Sequence, residues 1–221
     1  MVAKGFKYAE KEPDQNRASV TRSLHFGIWE KFAKKPQITW ETQNQSQEVS
    51  ELLQQFLSII SCEIAPAVAQ LYKKFYPSEW EIQKMAWDRV SRLLTKPLQN
   101  MPYLDFHGAF FAIAVKQGCS DRDHLDWGDD LEAMTFITAV DEWEGADLQT
   151  PELGFCFPLC QGELGAGKMR KMVHSAGSIT SGRRITLTFF TSELLTKHGK
   201  EWDVRRKKEA TRAAKRLAKV Q

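Results

Sequence analysis

From about Gln47 to Tyr76 the apolar residues Val49, Leu52, Leu53, Phe56, Ile59, Ile60 and Ile64 recur three and four positions apart, the stripe of a helix with one buried face. Pro66 breaks or kinks that helix, and Val68 to Phe75 continue it as a second piece. Pro77-Ser78 opens another helix. Glu81 stands three residues after Ser78 and completes a capping box, Met85, Val90 and Leu94 give the apolar side, and Pro97 follows the end. Beyond Asn100 the period falls to two. Phe110–Val115, Met134–Val140, Leu153–Pro158, Met169–His174 and Arg184–Thr191 are short runs rich in Phe, Ile, Val and Thr, separated by turn residues, and are expected as strands. Helices first and strands afterwards predict an α+β fold whose strands form a sandwich or barrel. Residues 1–45 scatter Phe6, Tyr8, Phe26, Trp29, Phe32 and Trp40 among polar positions, which suggests an extended arm laid on the core. Glu201–Val220 is rich in Ala, Lys and Arg and is expected as a closing helix.

At 221 residues and 42% hydrophobic content the chain can bury one sizeable core. The expected division is one domain over 1–221, with an N-terminal arm and helices over 1–100, a strand core over 101–192 and a basic helix over 193–221. No apolar run approaches the roughly 20 residues of a membrane span, and the opening MVAKGFKYAEKEPDQNRAS lacks the apolar core of a signal peptide. An intracellular protein without a membrane partner is expected. Cys62, Cys119, Cys156 and Cys160 are too few for a disulfide framework and lack the paired CxxC of a structural zinc site. Cys156 and Cys160 read as buried thiols, with no disulfide partner. The tail from Lys197 to Gln221 holds ten Lys and Arg against three Asp and Glu, an excess of +7 that leaves −4 for the rest of a chain whose net charge is +3.

The chemistry gathers at Asp123–Asp130, DHLDWGDD. His124 and Asp126 are two apart, so in extended chain both side chains reach one side and one metal ion. His174 ends KMRKMVH, another expected strand. Two histidines and one carboxylate make the facial triad of non-haem Fe(II) oxygenases, which leaves coordination positions open for substrates. Ten residues on comes Arg184, in SGRRITLTFF, where Arg184, Thr186 and Thr188 alternate with Ile185, Leu187 and Phe189. A guanidinium grips a carboxylate by two hydrogen bonds and Thr186 can add a third, so the face suits a dicarboxylate co-substrate.

This order of HxD, a histidine about fifty residues on, and an arginine ten further with RxT following resembles the 2-oxoglutarate- and Fe(II)-dependent dioxygenases. The resemblance covers roughly residues 105–191. More narrowly, HLDWGDD, the helical lead-in and the compact core resemble the fungal TET/JBP-like dioxygenases, which oxidise methylated DNA bases. It implies a double-stranded β-helix of the jelly-roll kind, with the helical layer packed on it. It implies His124, Asp126 and His174 as iron ligands, Arg184 as partner of the distal carboxylate of 2-oxoglutarate, and O₂ as oxidant. It implies Asp129, three residues after the ligand aspartate, as the group that reads the exocyclic amine of the base; a carboxylate accepting from cytosine N4 or adenine N6 fits that task chemically. Where this family often has a base-reading histidine, this chain has Ser192, with His198 the nearest histidine. The implied substrates are 5-methylcytosine, taken stepwise to alcohol, aldehyde and acid, and N6-methyladenine, demethylated through an unstable hemiaminal. Either base must be flipped from methylated duplex DNA, and the implied location is the nucleus.

Other readings compete. Lys168, Arg170 and Lys171 lie just before His174 and are either phosphate contacts or ordinary surface charge. The basic tail is either a DNA contact or a solvated helix with Ala213, Leu217 and Val220 on the core. Trp127 reads as packing more readily than as a stacking platform, and His107 as structural. Gly162–Met169, GELGAGKM, meets the phosphate-loop pattern except at its last position, where Met169 replaces the Ser or Thr that holds Mg²⁺, so it reads as a Gly-rich turn. A protein or small-molecule hydroxylase of the same fold, and an inactive DNA-binding module, are the alternative functions.

Overall fold

The computed structural model describes residues 1–7, 23–30, 35–118 and 122–217. The expected places of Tyr8, Phe32, Cys119 and Val220 lie outside them. Strand β1 (Leu24–Trp29) and the short β2 (Gln37–Ile38) come first. Helices α1 (Trp40–Gln43), α2 (Gln47–Ile59), α3 (Ala65–Phe75), α4 (Pro77–Leu93) and α5 (Thr95–Asn100) follow. Then come β3 (Ala112–Gln117), β4 (Thr135–Val140), β5 (Trp143–Gly145), β6 (Leu148–Thr150), β7 (Phe155–Phe157), β8 (Leu164–Gly167), β9 (Ser175–Ala176), β10 (Ile179–Gly182) and β11 (Ile185–Phe190), and the chain continues into α6 (Glu193–Leu217). The class is therefore mixed helix and antiparallel sheet.

The helical stripe is real, and its interruption has a local cause. Ser46 caps α2, its hydroxyl accepting from the Val49 amide at 3.4 Å. Val49, Leu53, Leu57 and Ile60 fall on one buried face. The break is a π-helical turn over Ile60–Ile64, so Pro66 lies in the first turn of α3, where a missing N–H costs nothing. The helix α4 starts at Pro77 with Tyr76 as its cap and no side-chain cap bond, so the Ser78–Glu81 box is not what begins it. Gln47–Phe75 taken together is long and apolar enough, by length and composition, to cross a membrane. Here its buried face belongs to the core instead.

The main sheet has the order β2-β1-β3-β11-β4-β8, with every neighbouring pair antiparallel. One face packs on the helices: Phe26, Ile28, Ile113, Phe136, Leu187 and Phe189 join Val49, Leu53, Leu57, Val68 and Tyr72 in one core. Tyr72 ties the layers together, its hydroxyl accepting from the Met134 amide at 3.2 Å. Burial pushes its phenol up to about 12. The segment expected as an arm thus supplies a full strand of the sheet. Its β1 pairs with β3 some ninety residues away, a partner that no local pattern announces.

Two smaller sheets stand apart from the main one, β7-β6-β9 and β10-β5. The strands around the Gly-rich stretch depart from the sequence expectation. Leu164–Gly167 is a strand beside β4 in the main sheet, while Met169–His174 is a turn that forms a β-bridge only at His174. Cys156 is exposed because β7 is an edge strand, and Cys160 is exposed in the loop that follows it.

Helix α6 crosses α4 closely at Gly199, where a Cβ would lie 2.3 Å from the Ile82 carbonyl oxygen. Its first turns are tied down by Arg170 to Glu193 at 2.7 Å and by His198 to the buried Glu30 at 2.9 Å.

Candidate functional site

The face of the main sheet turned away from the helices carries the candidate groups. Arg184, just before β11, and Thr186, Thr188 and Phe190 along it alternate with the core residues Leu187 and Phe189. Antiparallel register sets Thr186 between Lys116 and Ala139, and Thr188 between Ala114 and Ile137. Alanines at 114 and 139 keep this face shallow beside the polar groups. Arg184 is 2% exposed, with its guanidinium carbon 5.7 Å from the centre of the Trp143 ring. Arg183 turns the other way to pair with Asp141.

Against this face stands the DHLDWGDD segment. Its first half bonds to the small sheet: His124 and His174 form an isolated antiparallel bridge, each amide donating to the other's carbonyl at 3.0 Å. Its second half bonds to the main sheet: Asp129 pairs with Ser192 just past β11, and the Asp130 amide donates to the Thr191 carbonyl at 3.2 Å. The segment therefore spans from one sheet to the other. Between the two anchors the Asp126 amide donates to the Met169 carbonyl at 3.1 Å.

The three expected ligands converge. His124 Nε2 lies 3.8 Å from Asp126 Oδ1, and His174 Nε2 lies 3.7 Å from Asp126 Oδ2. The imidazole centres are 4.4 Å apart. Among the described residues this is the one group of His, Cys, Asp or Glu side chains close enough to hold a metal ion, its ligand atoms all within 4.8 Å of one another. Both rings are set by their far nitrogens. His124 Nδ1 lies 2.7 Å from the Arg122 carbonyl oxygen and His174 Nδ1 lies 3.0 Å from that of Met172. Those carbonyls fix Nδ1 as the protonated nitrogen and leave each Nε2 lone pair toward Asp126. Metal–nitrogen bonds of about 2 Å bring neighbouring ligand atoms to roughly 3 Å. Side-chain adjustment of up to about an ångström per ligand closes the difference, so the donor set fits a divalent ion that accepts N and O ligands.

The four aspartates of DHLDWGDD separate by environment. Asp123 is exposed. Asp129 is 6% exposed, and Thr135 donates to its Oδ2 at 2.7 Å, which fixes the carboxylate. Asp130 had no assignable role in the sequence, and here it is a structural clamp, 3% exposed. It accepts from the Glu132 amide at 2.9 Å, from the Thr196 hydroxyl at 2.8 Å and from the Lys200 ammonium. Burial opposes its ionisation, but these donors, Lys200 foremost, outweigh burial and hold it below the ordinary carboxylate range. A folded-state pKa below the unfolded value stabilises above that unfolded value, near 4, and the gain is lost as pH falls through the folded pKa. Asp130→Asn is therefore expected to cost about 2 kcal/mol at pH 7. That is a drop of roughly 4–8 °C in melting midpoint, and the gap to wild type should shrink steadily below about pH 4. A thermal melt series against pH checks both.

The remaining candidates are placed as follows. Lys168 pairs with Glu132 at 2.7 Å and Glu79 at 3.2 Å, Lys171 also pairs with Glu132, and Arg170 bonds Glu193 and the Asp129 carbonyl at 2.8 Å. Hydrogen bonds from Lys168 and then Lys171 draw Glu132 down to about 2. These cations already have protein partners, so a phosphate would compete for them. Trp127 is 72% exposed and does not pack as its sequence context suggested. His107, at φ 57°, contacts the Ser61 carbonyl at 3.1 Å in a structural role. Sequence reasoning passed over His25, whose ring lies 5.0 Å from that of Trp29 and 5.9 Å from that of Phe190. The one signal was alternation in LHFGIW, which sets Phe26 and Ile28 on one side and His25 and Trp29 on the other.

The fold is similar to that of NgTET1 in complex with 5mC DNA, with a TM-score of 0.52 and 15% sequence identity over 79% of this chain and 62% of that one. This chain thus spans less than two thirds of that protein's length. A viral collagen prolyl hydroxylase, vCPH from Paramecium Bursaria Chlorella virus-1 in its 2OG complex, aligns over 47% of this chain and 70% of that one, with a TM-score of 0.30 and 15% identity. That alignment is too loose to bear on the fold. No family model matches the chain, and no curated protein matches its sequence.

Proposed function

We propose that the chain is a 2-oxoglutarate- and Fe(II)-dependent dioxygenase, and that its substrate is a methylated base in duplex DNA. The convergence of His124, Asp126 and His174, with both Nδ1 atoms set by backbone carbonyls, carries the reading. In this reading the main sheet and the strands around β9 are the two sheets of a compact jelly roll, in one catalytic domain over 1–221. Arg184 and Thr186 on the buried face are the distal carboxylate partners of 2-oxoglutarate.

When bound, Fe(II) with 2-oxoglutarate and O₂ supplies the oxidising power for a methyl C–H bond, with succinate and CO₂ released. The chain's own residues do the rest. His124, Asp126 and His174 occupy one side of the ion and leave the other for ligands. Arg184 binds the far carboxylate in a dry setting, where a charged hydrogen bond is worth more than in water. Thr135 holds Asp129 so that its carboxylate meets the exocyclic amine of a flipped base, the donor that cytosine N4 and adenine N6 both present. 5-Methylcytosine is the first substrate and N6-methyladenine the second. Flipping costs a few kcal/mol, which phosphate contacts help to offset. Lys168, Arg170 and Lys171 and the exposed cations of α6 are the candidates. An enzyme on genomic bases is expected in the nucleus.

The test is incubation with Fe(II), 2-oxoglutarate and duplex oligonucleotides carrying either methylated base, followed by nucleoside mass spectrometry. Oxidised or demethylated base is expected. Its absence with both substrates overturns the DNA reading, and succinate release without DNA product returns the chain to the hydroxylases of proteins or small molecules. Asp129→Ala is expected to cut DNA turnover by tenfold or more while leaving 2-oxoglutarate binding intact; loss of co-substrate binding would remove Asp129 from the substrate side.

A further inference from the structure

We propose that His25 on β1 is a substrate-recognition residue, and that with Trp29 and Phe190 it walls the end of the site that receives a planar, hydrogen-bonding ring. The inference rests on the DNA-base reading and names which residues of this chain hold the base.

Three observations place these residues. Antiparallel register sets His25 opposite Ala114, which in turn sits opposite Thr188, so the three form one transverse row of the sheet. Their neighbours Phe26, Ile113 and Phe189 are core residues on the helical side, so His25 shares the face of Arg184 and Thr186. Phe190 ends that face. It lies six residues beyond Arg184, or about 20 Å along an extended strand. The dicarboxylate end and the aromatic end are therefore well separated on one strand, with the length of a co-substrate and a substrate between them.

The aromatic grouping depends on Gly27. A Cβ there would lie 2.4 Å from the Phe111 carbonyl oxygen, so only glycine lets β1 approach this closely. With no side chain between them, His25 and Trp29 lean together to 5.0 Å between ring centres, far closer than residues four apart on an extended strand normally stand. Both also meet the Phe190 ring edge-on, at 5.9 and 6.2 Å. His25 and Trp29 stay half-exposed while Phe190 is buried, so the grouping has an open side.

Polar groups border the same end. Two residues past Phe190, Ser192 pairs with Asp129, and side chains of directly opposed residues share a side. Ser192 is 4% exposed, and its buried hydroxyl makes no hydrogen bond among the described residues. A buried hydroxyl left so costs free energy unless something polar completes it. Aromatic faces beside an imidazole, a carboxylate and an unmatched hydroxyl suit a flat heterocycle with donors and acceptors on its edge. A neutral imidazole can donate to or accept from such an edge.

A purely structural role would have the rings cover Gly27, and the experiment separates the two. His25→Ala and His25→Gln are compared with wild type on methylated duplex in the presence of Fe(II) and 2-oxoglutarate. Succinate release without DNA, the melting midpoint and duplex binding by metal-free protein are measured alongside. The expectation is a KM for duplex raised tenfold or more in His25→Ala, weaker duplex binding without metal, partial rescue in His25→Gln, and unchanged DNA-free succinate release. Unchanged KM and binding in a wild type that oxidises the duplex would overturn this inference and leave the enzyme reading intact. DNA-free succinate release and melting midpoint falling together with KM would also overturn it, in favour of strand support. A wild type that neither binds nor oxidises the duplex overturns both readings.

Discussion

His174→Ala is expected to abolish metal binding and succinate release together while the protein stays folded. Outer-shell partners of metal ligands are themselves worth 10–100-fold in affinity or activity, so removing one of three direct ligands should exceed about 100-fold. The fold should survive because the main-chain bridge between residues 124 and 174 needs no imidazole. Calorimetric titration with Fe(II) under anaerobic conditions, or with Mn(II) as a stable substitute, reads the affinity. A coupled assay reads succinate. Succinate release equal to wild type would remove the iron assignment itself.

Arg184→Met should produce the second large effect, confined to the co-substrate. The residue is buried, on the face opposite the helices, and a methionine fills most of its volume without the charge. A guanidinium–carboxylate grip of two charged hydrogen bonds, at about 1.5–3 kcal/mol each, predicts a loss of at least 10²-fold in 2-oxoglutarate affinity. Metal affinity and melting midpoint should be nearly unchanged. A KM for 2-oxoglutarate within about threefold of wild type, or a midpoint lowered by more than roughly 5 °C, would make Arg184 a support of the Trp143 ring instead.

What could be read from the sequence was chemistry carried by short-range spacing. His124 and Asp126 are two apart, and alternation places Arg184 and Thr186 on one face, so local geometry already constrains them. Helical stripes such as Val49–Leu53–Leu57 are legible for the same reason. What escaped notice depended on partners far along the chain. Asp130 looked like one more acidic residue because Thr196 and Lys200, which clamp it, lie nearly seventy residues on. β1 looked like an arm because its hydrogen bonds go to β3, and Gly27 broke the apparent strand. Met169–His174 mimicked a strand through its apolar spacing, yet its backbone turns so that the Met169 carbonyl can receive Asp126.

The mutual hydrogen bonds of residues 124 and 174 bear on how a metal would bind at the proposed site. Two of the three donors hang from a finished piece of backbone, so an arriving ion need not order the chain. Where binding builds the fold, as in small zinc modules, loss of the ion is loss of the protein. An ion held as proposed would enter and leave a site whose two imidazoles are already anchored, with Asp126 the ligand outside that bridge. Removing the ion from such a site would then leave a folded protein that can be reloaded, not an unfolded chain.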